Sequence, residues 1–324
     1  MIVAYGDAIV DLFAEPRGSD VAQAEVFVPR QGGAPCNVAV VASRLGAPTR
    51  FLGAIGRDAH GERLMRALRE AGVDASSLIT LPNRTGITFV RVGLDGARSF
   101  LYYREAGADF ALAREHLEAL TPSPLVGAHW LQVMSSALVV EPKATASRWV
   151  LDQAESAGIP ISFDLNVRAH LWSDRERMVD EVRGLAARAT LVKASEEDLD
   201  ALGVPRTLDS LRTLVTRPRA VAILTLAERG AVAWVGDAIV QVAAPVVDVI
   251  DATGAGDAFM GTLLAGLVRC EVRPGEPSWA RADAWRAILA LACRVGARAV
   301  TGMGATDAVR DLDIERRELQ GMKP

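Results

Sequence analysis

Residues Asp251 to Phe259 read DATGAGDAF and run into an apolar stretch punctuated by glycine. Thr253, Gly254, Ala255 and Gly256 permit a turn whose backbone amides can converge on an anion, and a helix starting there adds the positive end of its dipole. Asp257 then falls in the first helical turn, where a carboxylate can take the proton of a hydroxyl attacking phosphorus. The same letters also spell an ordinary helix start, with Thr253 or Asp257 capping free N–H groups. A Walker loop needs GxxxxGK[ST], and no lysine follows these glycines. A dinucleotide loop is a poor match as well, since position 259 is phenylalanine.

A second constellation lies near the start, in QGGAPCNVAVVASRLG. Gly32 and Gly33 let backbone approach a ligand closely, and Asn37 offers a donor and an acceptor to neighbouring hydroxyls. Upstream, Asp7 and Asp11 bracket DAIVD, and a carboxylate such as Asp11 can accept two hydrogen bonds from a polyol. The alternative assigns Gly33 and Asn37 to a turn and a helix cap. His60, His116, His129 and His170 form neither HxxxH nor HExxH, which speaks against a histidine metal site.

Positioning these groups is the task of an α/β chain. Short β-branched runs alternate with Ala/Leu/Arg-rich stretches, the pattern of parallel strands with crossover helices. Strands are expected at Ile2 to Ala4, Ile9 to Phe13, Phe51 to Ile55, Trp130 to Val133, Ile159 to Phe163, Thr190 to Val192 and Ala220 to Leu224. Helices are expected over 34–45, 58–70, 255–268 and 279–297, with Trp149 and Trp285 packing inside helices. GITFVRV and ARSFLYYR flank LDG, where Asp95 and Gly96 signal a hairpin turn. That hairpin interrupts the alternation and is a candidate lid over the cleft. AVAWV and AIVQV around Gly236 and Asp237 read as an antiparallel edge. The charged tail after Val309 reads as a short helix or a loose end.

Composition narrows the function classes. With 324 residues and 50% hydrophobic letters the chain can bury a large core. Lys plus Arg number 36 against 40 for Asp plus Glu, so no global basic field favours nucleic acid. Cys36, Cys270 and Cys293 make no CxxC pair, arguing against a disulfide framework and for a reducing cytoplasm. No basic, cleavable leader is legible at the start, and no long uncharged run suggests a membrane span.

The segments GGAPCNVAVVASRLG and DATGAGDAFMG, in this order and separation, resemble the paired signatures of the pfkB, or ribokinase-like, carbohydrate kinases. The resemblance extends from GDAIVD to the TGMG region, and FLYYREAGADF, SSALVVEPKATA and FDLNVRAHLW are similar to segments of bacterial fructokinases. It implies a three-layer sandwich with a mostly parallel sheet: one kinase domain over 1–324 whose small β lid comes from about 10–30 and 86–104. It implies transfer of the ATP γ-phosphoryl group to O6 of fructose, with Mg2+ on the phosphates and K+ as a further candidate ion.

By the same resemblance Asp257 is the base, and Gly254, Ala255 and Gly256 form the anion hole. Asp11, Gly32, Gly33 and Asn37 would bind the sugar, with Arg104 and Arg168 near substrate or phosphate. Asn166, Ser195, Thr225 and Gly230 would serve the nucleotide, Asp198 the magnesium, and Asp251 with the Gly304 loop a monovalent cation. Two departures stand out. The family's Asn-x-x-Glu is Ser195-Glu196-Glu197-Asp198 here, which also reads as a capping box, and TLGxxG is TLAERG, with Ala227 in place of glycine.

Competing readings are a 2-dehydro-3-deoxygluconate kinase, since DLNVRAHLW is also similar to those sugar-acid kinases, and a catalytically silent sugar-binding protein on the same fold. A nicotinamide oxidoreductase is a weaker third. The expected partners are sugar and ATP, with neither nucleic acid nor membrane, and a homodimer formed through the lid.

Overall fold

The computed structural model describes residues 1–94 and 96–322. The chain opens with β1 (Ile2–Asp7), β2 (Ile9–Glu15), β3 (Val26–Gly32), α1 (Ala34–Arg44), β4 (Thr49–Gly56), α2 (Ala59–Glu70), β5 (Leu78–Leu81), β6 (Ile87–Val92) and β7 (Arg98–Tyr103). Next come α3 (Arg114–Glu118), β8 (Trp130–Met134), α4 (Lys143–Ser156), β9 (Ile161–Asp164), α5 (Arg175–Arg188), β10 (Leu191–Ser195), α6 (Glu196–Leu202), α7 (Leu208–Leu214) and β11 (Val221–Thr225). The chain ends with β12 (Ala231–Val235), β13 (Ala238–Val242), α8 (Ala255–Arg269), α9 (Ala282–Ala299) and α10 (Asp313–Gly321).

The main sheet has nine strands in the order β13-β12-β11-β10-β9-β8-β1-β4-β5. Its strands run parallel from β11 to β5, and β12 and β13 close one edge antiparallel, as the AVAWV/AIVQV pair predicts. Alternation along β1 shows why both faces are covered: Ile2 joins a core with Val38 of α1, Leu263 of α8 and Ile288 of α9, whereas Val3 and Tyr5 join one with Val150 of α4 and Val182 of α5. This is the expected three-layer α/β sandwich. Strand C-terminal ends in such sheets open onto a shared cleft, and both motifs enter α1 and α8 beside it.

The smaller sheet has the order β3-β2-β6-β7. β2 pairs antiparallel with β3 and parallel with β6, and β6 forms the expected antiparallel hairpin with β7. Thr88, Val90 and Val92 point inward while Leu101 and Tyr103, in register with Phe89 and Ile87 on the other face, stay exposed, so one face of this sheet packs and the other is open. Asp95, part of the predicted turn, lies outside the described residues; its neighbour Gly96 sits near Val249 and the carbonyl of Ile250, across the cleft.

Some boundaries move. β1 runs on to Asp7 because Gly6 and Asp7 pair with Gly53 and Ala54. The helix expected over 279–297 divides: Pro277–Ala280 form a separate 3-10 turn before α9, held where the Trp279 indole N–H donates to the Arg219 carbonyl at 2.8 Å. The charged tail is helical from Asp313.

Candidate active site

Gly254 takes a left-handed conformation (φ 79°) at the start of α8, and a Cβ there would lie 2.5 Å from Ala305 Cα. Among the described residues no side chain caps α8. Thr253 turns away, its N–H and hydroxyl donating to Asp251 Oδ1 at 2.9 and 2.6 Å. The capping alternative therefore fails, and the first-turn amides of Gly254, Ala255 and Gly256 are left for an anion. Asp251 Oδ2 accepts from the Gly304 N–H at 2.8 Å, drawing the Gly304 turn over the cradle. Asp251 and Gly304 are thus brought together as expected, but as a clamp within the protein, which occupies both carboxylate oxygens.

Asp257 is buried at the head of this helix. Asn37, 220 positions earlier on α1, donates from Nδ2 to Asp257 Oδ2 at 2.8 Å, and Gln31 Nε2 donates to Asn37 Oδ1 at 3.3 Å. Burial raises the Asp257 pKa, opposed by the Asn37 hydrogen bond and by Arg168, Lys193 and Arg98. α1 can begin here because Gly33 (φ 92°) bends β3 into the helix with its α-carbon against the Asp7 carbonyl, where a side chain would collide. Gly32 leaves room for the Asp11 carboxyl group in the same way.

Asp11 is 7% exposed and makes no side-chain hydrogen bond or ion pair among the described residues. Burial, with Asp257 and Asp251 nearby and only Arg104 opposing, pushes its pKa up to about 7. A desolvated carboxyl beside the base, lacking a protein partner, is equipped to take hydroxyl donors from a ligand.

Arg104, expected near substrate or phosphate, acts electrostatically on Asp11 and is held by acids of the protein itself. Its guanidinium is buried between Asp7, at 3.0 Å, and Asp109, and it lies over the Phe110 ring. Lys143 completes this cluster on Asp7 with its ammonium fully buried. Arg104 therefore ties the end of β7 to β1, and its partners within the protein already engage it. Arg168 carries no ion pair among the described residues and acts electrostatically on Asp257, as does Arg98 from β7.

On the nucleotide side, Ser195 and Asp198 form the capping box of α6. Asp198 Oδ2 accepts from the Ser195 N–H and hydroxyl at 2.7 and 2.9 Å, and Oδ1 accepts from the Val167 N–H at 2.7 Å. Direct ligation of a metal by Asp198 would compete with these bonds, whereas a water-mediated hold would not. Thr225 donates to the Ala194 carbonyl at 3.2 Å, and Gly230 packs so closely on the Val242 carbonyl that a side chain would collide. Asn166 adopts φ 37° and packs its amide on Met134 Sδ. Ala227, which departs from glycine, is held at φ 51°. His170 stacks on Tyr102 of β7 at 4.7 Å, bridging lid and body.

Sequence reasoning missed Lys193. It lies on β10, buried, with Nζ 3.0 Å from Asp164 Oδ1 and 3.3 Å from Oδ2. Burial opposes its charge, yet Asp164 and Asp198 outweigh that and hold its pKa above the ordinary value. A lysine inside the apolar run LVKAS was the available signal, since a buried strand tolerates such a charge only with a partner. Arg98 and Gln31 were missed too; their strands look like ordinary alternating hairpins.

An amide cradle and an adjoining buried carboxyl bonded to a second motif's asparagine are chemically suited to phosphoryl transfer. The sequence matches the pfkB family carbohydrate kinase profile over residues 1–312. The chain belongs to the pfkB family of carbohydrate kinases. Fructokinase-1 of Zea mays is 33% identical over 272 residues, covering 83% of each chain. The structure of a Xylella fastidiosa fructokinase with bound ATP superimposes with a TM-score of 0.84 at 30% identity, covering 98% of this chain and 97% of that one. The Vibrio cholerae O395 fructokinase holding fructose, ADP and calcium gives 0.80 at 30% identity, over 95% and 94%. A double mutant of that enzyme holds potassium with fructose and ADP. This pfkB kinase thus shares the fold of these fructokinases over nearly its whole length.

Proposed function

We infer that the protein is a fructokinase, transferring the γ-phosphoryl group of ATP to O6 of fructose. The observation that carries this is the 2.8 Å Asn37–Asp257 hydrogen bond, which sets the sugar-side motif directly against the base of the anion cradle. Asp11 and Asn37 bind sugar hydroxyls, and Gly32 and Gly33 shape the wall. Asp257 accepts the O6 proton as that oxygen attacks phosphorus; burial raises its pKa, which strengthens it as a proton acceptor. The Gly254–Gly256 amides stabilise charge on the equatorial oxygens. Thr225, Gly230 and the 243–250 linker flank the nucleotide, and Arg168 borders the phosphates.

The residues fit a magnesium ion held chiefly by phosphates and water. Glu197 on the first turn of α6 is exposed and free of ion pairs among the described residues, and Asp198 can act through water. Bound there, the ion would neutralise phosphate charge. A potassium site would adjoin the Asp251–Gly304 clamp, using backbone carbonyls in place of the engaged carboxylate.

A single kinase domain with a β lid accounts for the two sheets, the lid closing over sugar to exclude water. Exposed Phe100, Leu101 and Tyr103 on the lid favour a homodimer in which two lids cover each other, and sedimentation in solution tests it. A cytoplasmic setting suits three buried, unpaired cysteines, and no helix of the described residues is long and apolar enough to cross a membrane.

The deciding experiment measures ADP release with MgATP and fructose, 2-dehydro-3-deoxygluconate, ribose, glucose or adenosine, beside an Asp257→Asn protein. Fructose-dependent turnover that collapses in the variant is expected. Preference for the sugar acid, which Arg98 and Arg168 could clamp, would overturn the substrate and keep the chemistry. No turnover with any acceptor would favour a silent sugar-binding protein.

A further inference from the structure

Phosphoryl transfer needs positive charge where the leaving and equatorial oxygens gather it, and a cation is worth most there when water is excluded. Lys193 meets both conditions. It is 4% exposed, and its Nζ lies 3.2 Å from where a Cβ on Gly256 would stand, so its ammonium lies beside the cradle's last glycine. Any side chain at 256 would press on it. An ammonium has three N–H donors, and its hydrogen bonds among the described residues all go to the one Asp164 carboxylate. β10 brings it there: Lys193 is in register with Asp164 of β9 on one side and Ile223 of β11 on the other. Two residues later Ser195 starts α6, so the strand end and the helix cap fix the lysine's backbone.

We propose that Lys193 is a catalytic cation of the phosphoryl-transfer step, held by Asp164 beside Gly256 of the amide cradle and donating to a non-bridging oxygen of the γ-phosphoryl group. In that step O6 of the sugar bonds to Pγ, the bond from Pγ to the β–γ bridging oxygen breaks with its electron pair leaving on ADP, and the O6 proton passes to Asp257. Lys193 stays protonated throughout and gives up only hydration it has already lost in the folded protein. Asp164 orients the ammonium and balances its charge before the nucleotide arrives. The neighbouring Asp11, Asp251 and Asp257 would otherwise repel a polyphosphate, and Lys193 and Arg168 offset them.

The inference rests on the kinase reading, and its test separates the two. Lys193→Met, Lys193→Arg and the double variant Lys193→Met/Asp164→Leu are compared with the wild type in turnover of fructose and in calorimetric binding of ADP and of the non-hydrolysable analogue AMP-PNP. Expected for Lys193→Met is a fall in kcat of about 10²–10³-fold, AMP-PNP affinity reduced far more than ADP affinity, and fructose KM little changed. Lys193→Arg should recover part of the rate. The double variant leaves no buried charge unpaired, so it carries the test should Lys193→Met misfold, and it should stay as slow as the single variant. A double variant restored to wild-type kcat would show that Lys193 merely neutralises Asp164 and would overturn the proposal, as would equal losses for ADP and AMP-PNP. A wild-type protein inert toward fructose would count against the fructokinase reading alone, because the contrast between ADP and AMP-PNP still reports the γ-phosphate contact.

Discussion

Asp7 and Asp11 stand four residues apart in DAIVD and are both almost fully buried, yet they sit in opposite environments. Asp7, at the end of β1, is gripped by Lys143 and Arg104, which hold its carboxyl well below the usual carboxylate range against the burial that would raise it. Asp11, on β2, has no such grip, and burial pushes it to about 7. The Asp7 region joins β1, the lid exit and α4 into one body. The Asp11 region opens toward Asp257 and keeps its bonding capacity for a ligand. Burial alone therefore does not fix the state of an acid; whether a cation is bonded to it decides between Asp7 and Asp11.

Breaking either side of the contrast gives graded outcomes. The largest is expected for Asp257→Asn, where loss of the base should cut kcat about 10²–10⁴-fold with the melting temperature maintained, as measured by steady-state kinetics and calorimetry. Asp7→Asn should instead cost about 3–5 kcal/mol of stability by leaving Lys143 and Arg104 underpaired, read in chemical denaturation without any sugar present.

Asp11→Asn separates binding from stability. Loss of a charged acceptor should raise the fructose KM about 10–10²-fold. The folded pKa of Asp11 lies above its unfolded value of 3.8, so its contribution is intact below about pH 4 and is lost as pH rises through about 7. Removing the charge should accordingly stabilise the ligand-free protein at pH 8, by up to about 4 kcal/mol, and do least near pH 4. An equal gain at both pH values would break the assignment.

Asn37→Ala sharpens the contrast at the base. Its hydrogen bond lowers the Asp257 pKa, so without it the acid limb of kcat/KM should move to higher pH, and activity at pH 6 should suffer more than at pH 8. The smallest effect belongs to the nucleotide turn. Ala227→Gly relieves a left-handed alanine and should add about 1 kcal/mol of stability, and a destabilised variant would show that no strain resides there.

Much of this molecule was legible beforehand, for reasons that differ by element. The parallel strands were readable because strands buried on both faces need short, mostly apolar runs, which β8 (WLQVM) and β11 (VAILT) supply, β11 with three β-branched residues. The Pro277–Ala280 turn was hidden, since nothing local announces that Trp279 will seek the Arg219 carbonyl. Ser195 and Asp198 carried two readings, cap and nucleotide site; the reciprocal Ser195–Asp198 hydrogen bonds establish the cap and leave the nucleotide role a proposal. Lys193 went unseen because its importance depends on Gly256, far along the chain.

By itself the amino-acid sequence determined the layered α/β plan and the two glycine motifs, because strand burial, helix starts and left-handed turns are dictated by residues within a few positions of one another. Only the tertiary structure decided which buried charges are spoken for. Asn37 reaches Asp257 across 220 residues, Arg104 is claimed by Asp7 and Asp109, and Asp11 is left without a partner. A charge takes its role from the groups within a few ångströms of it, and those neighbours are assigned by packing rather than by order along the chain.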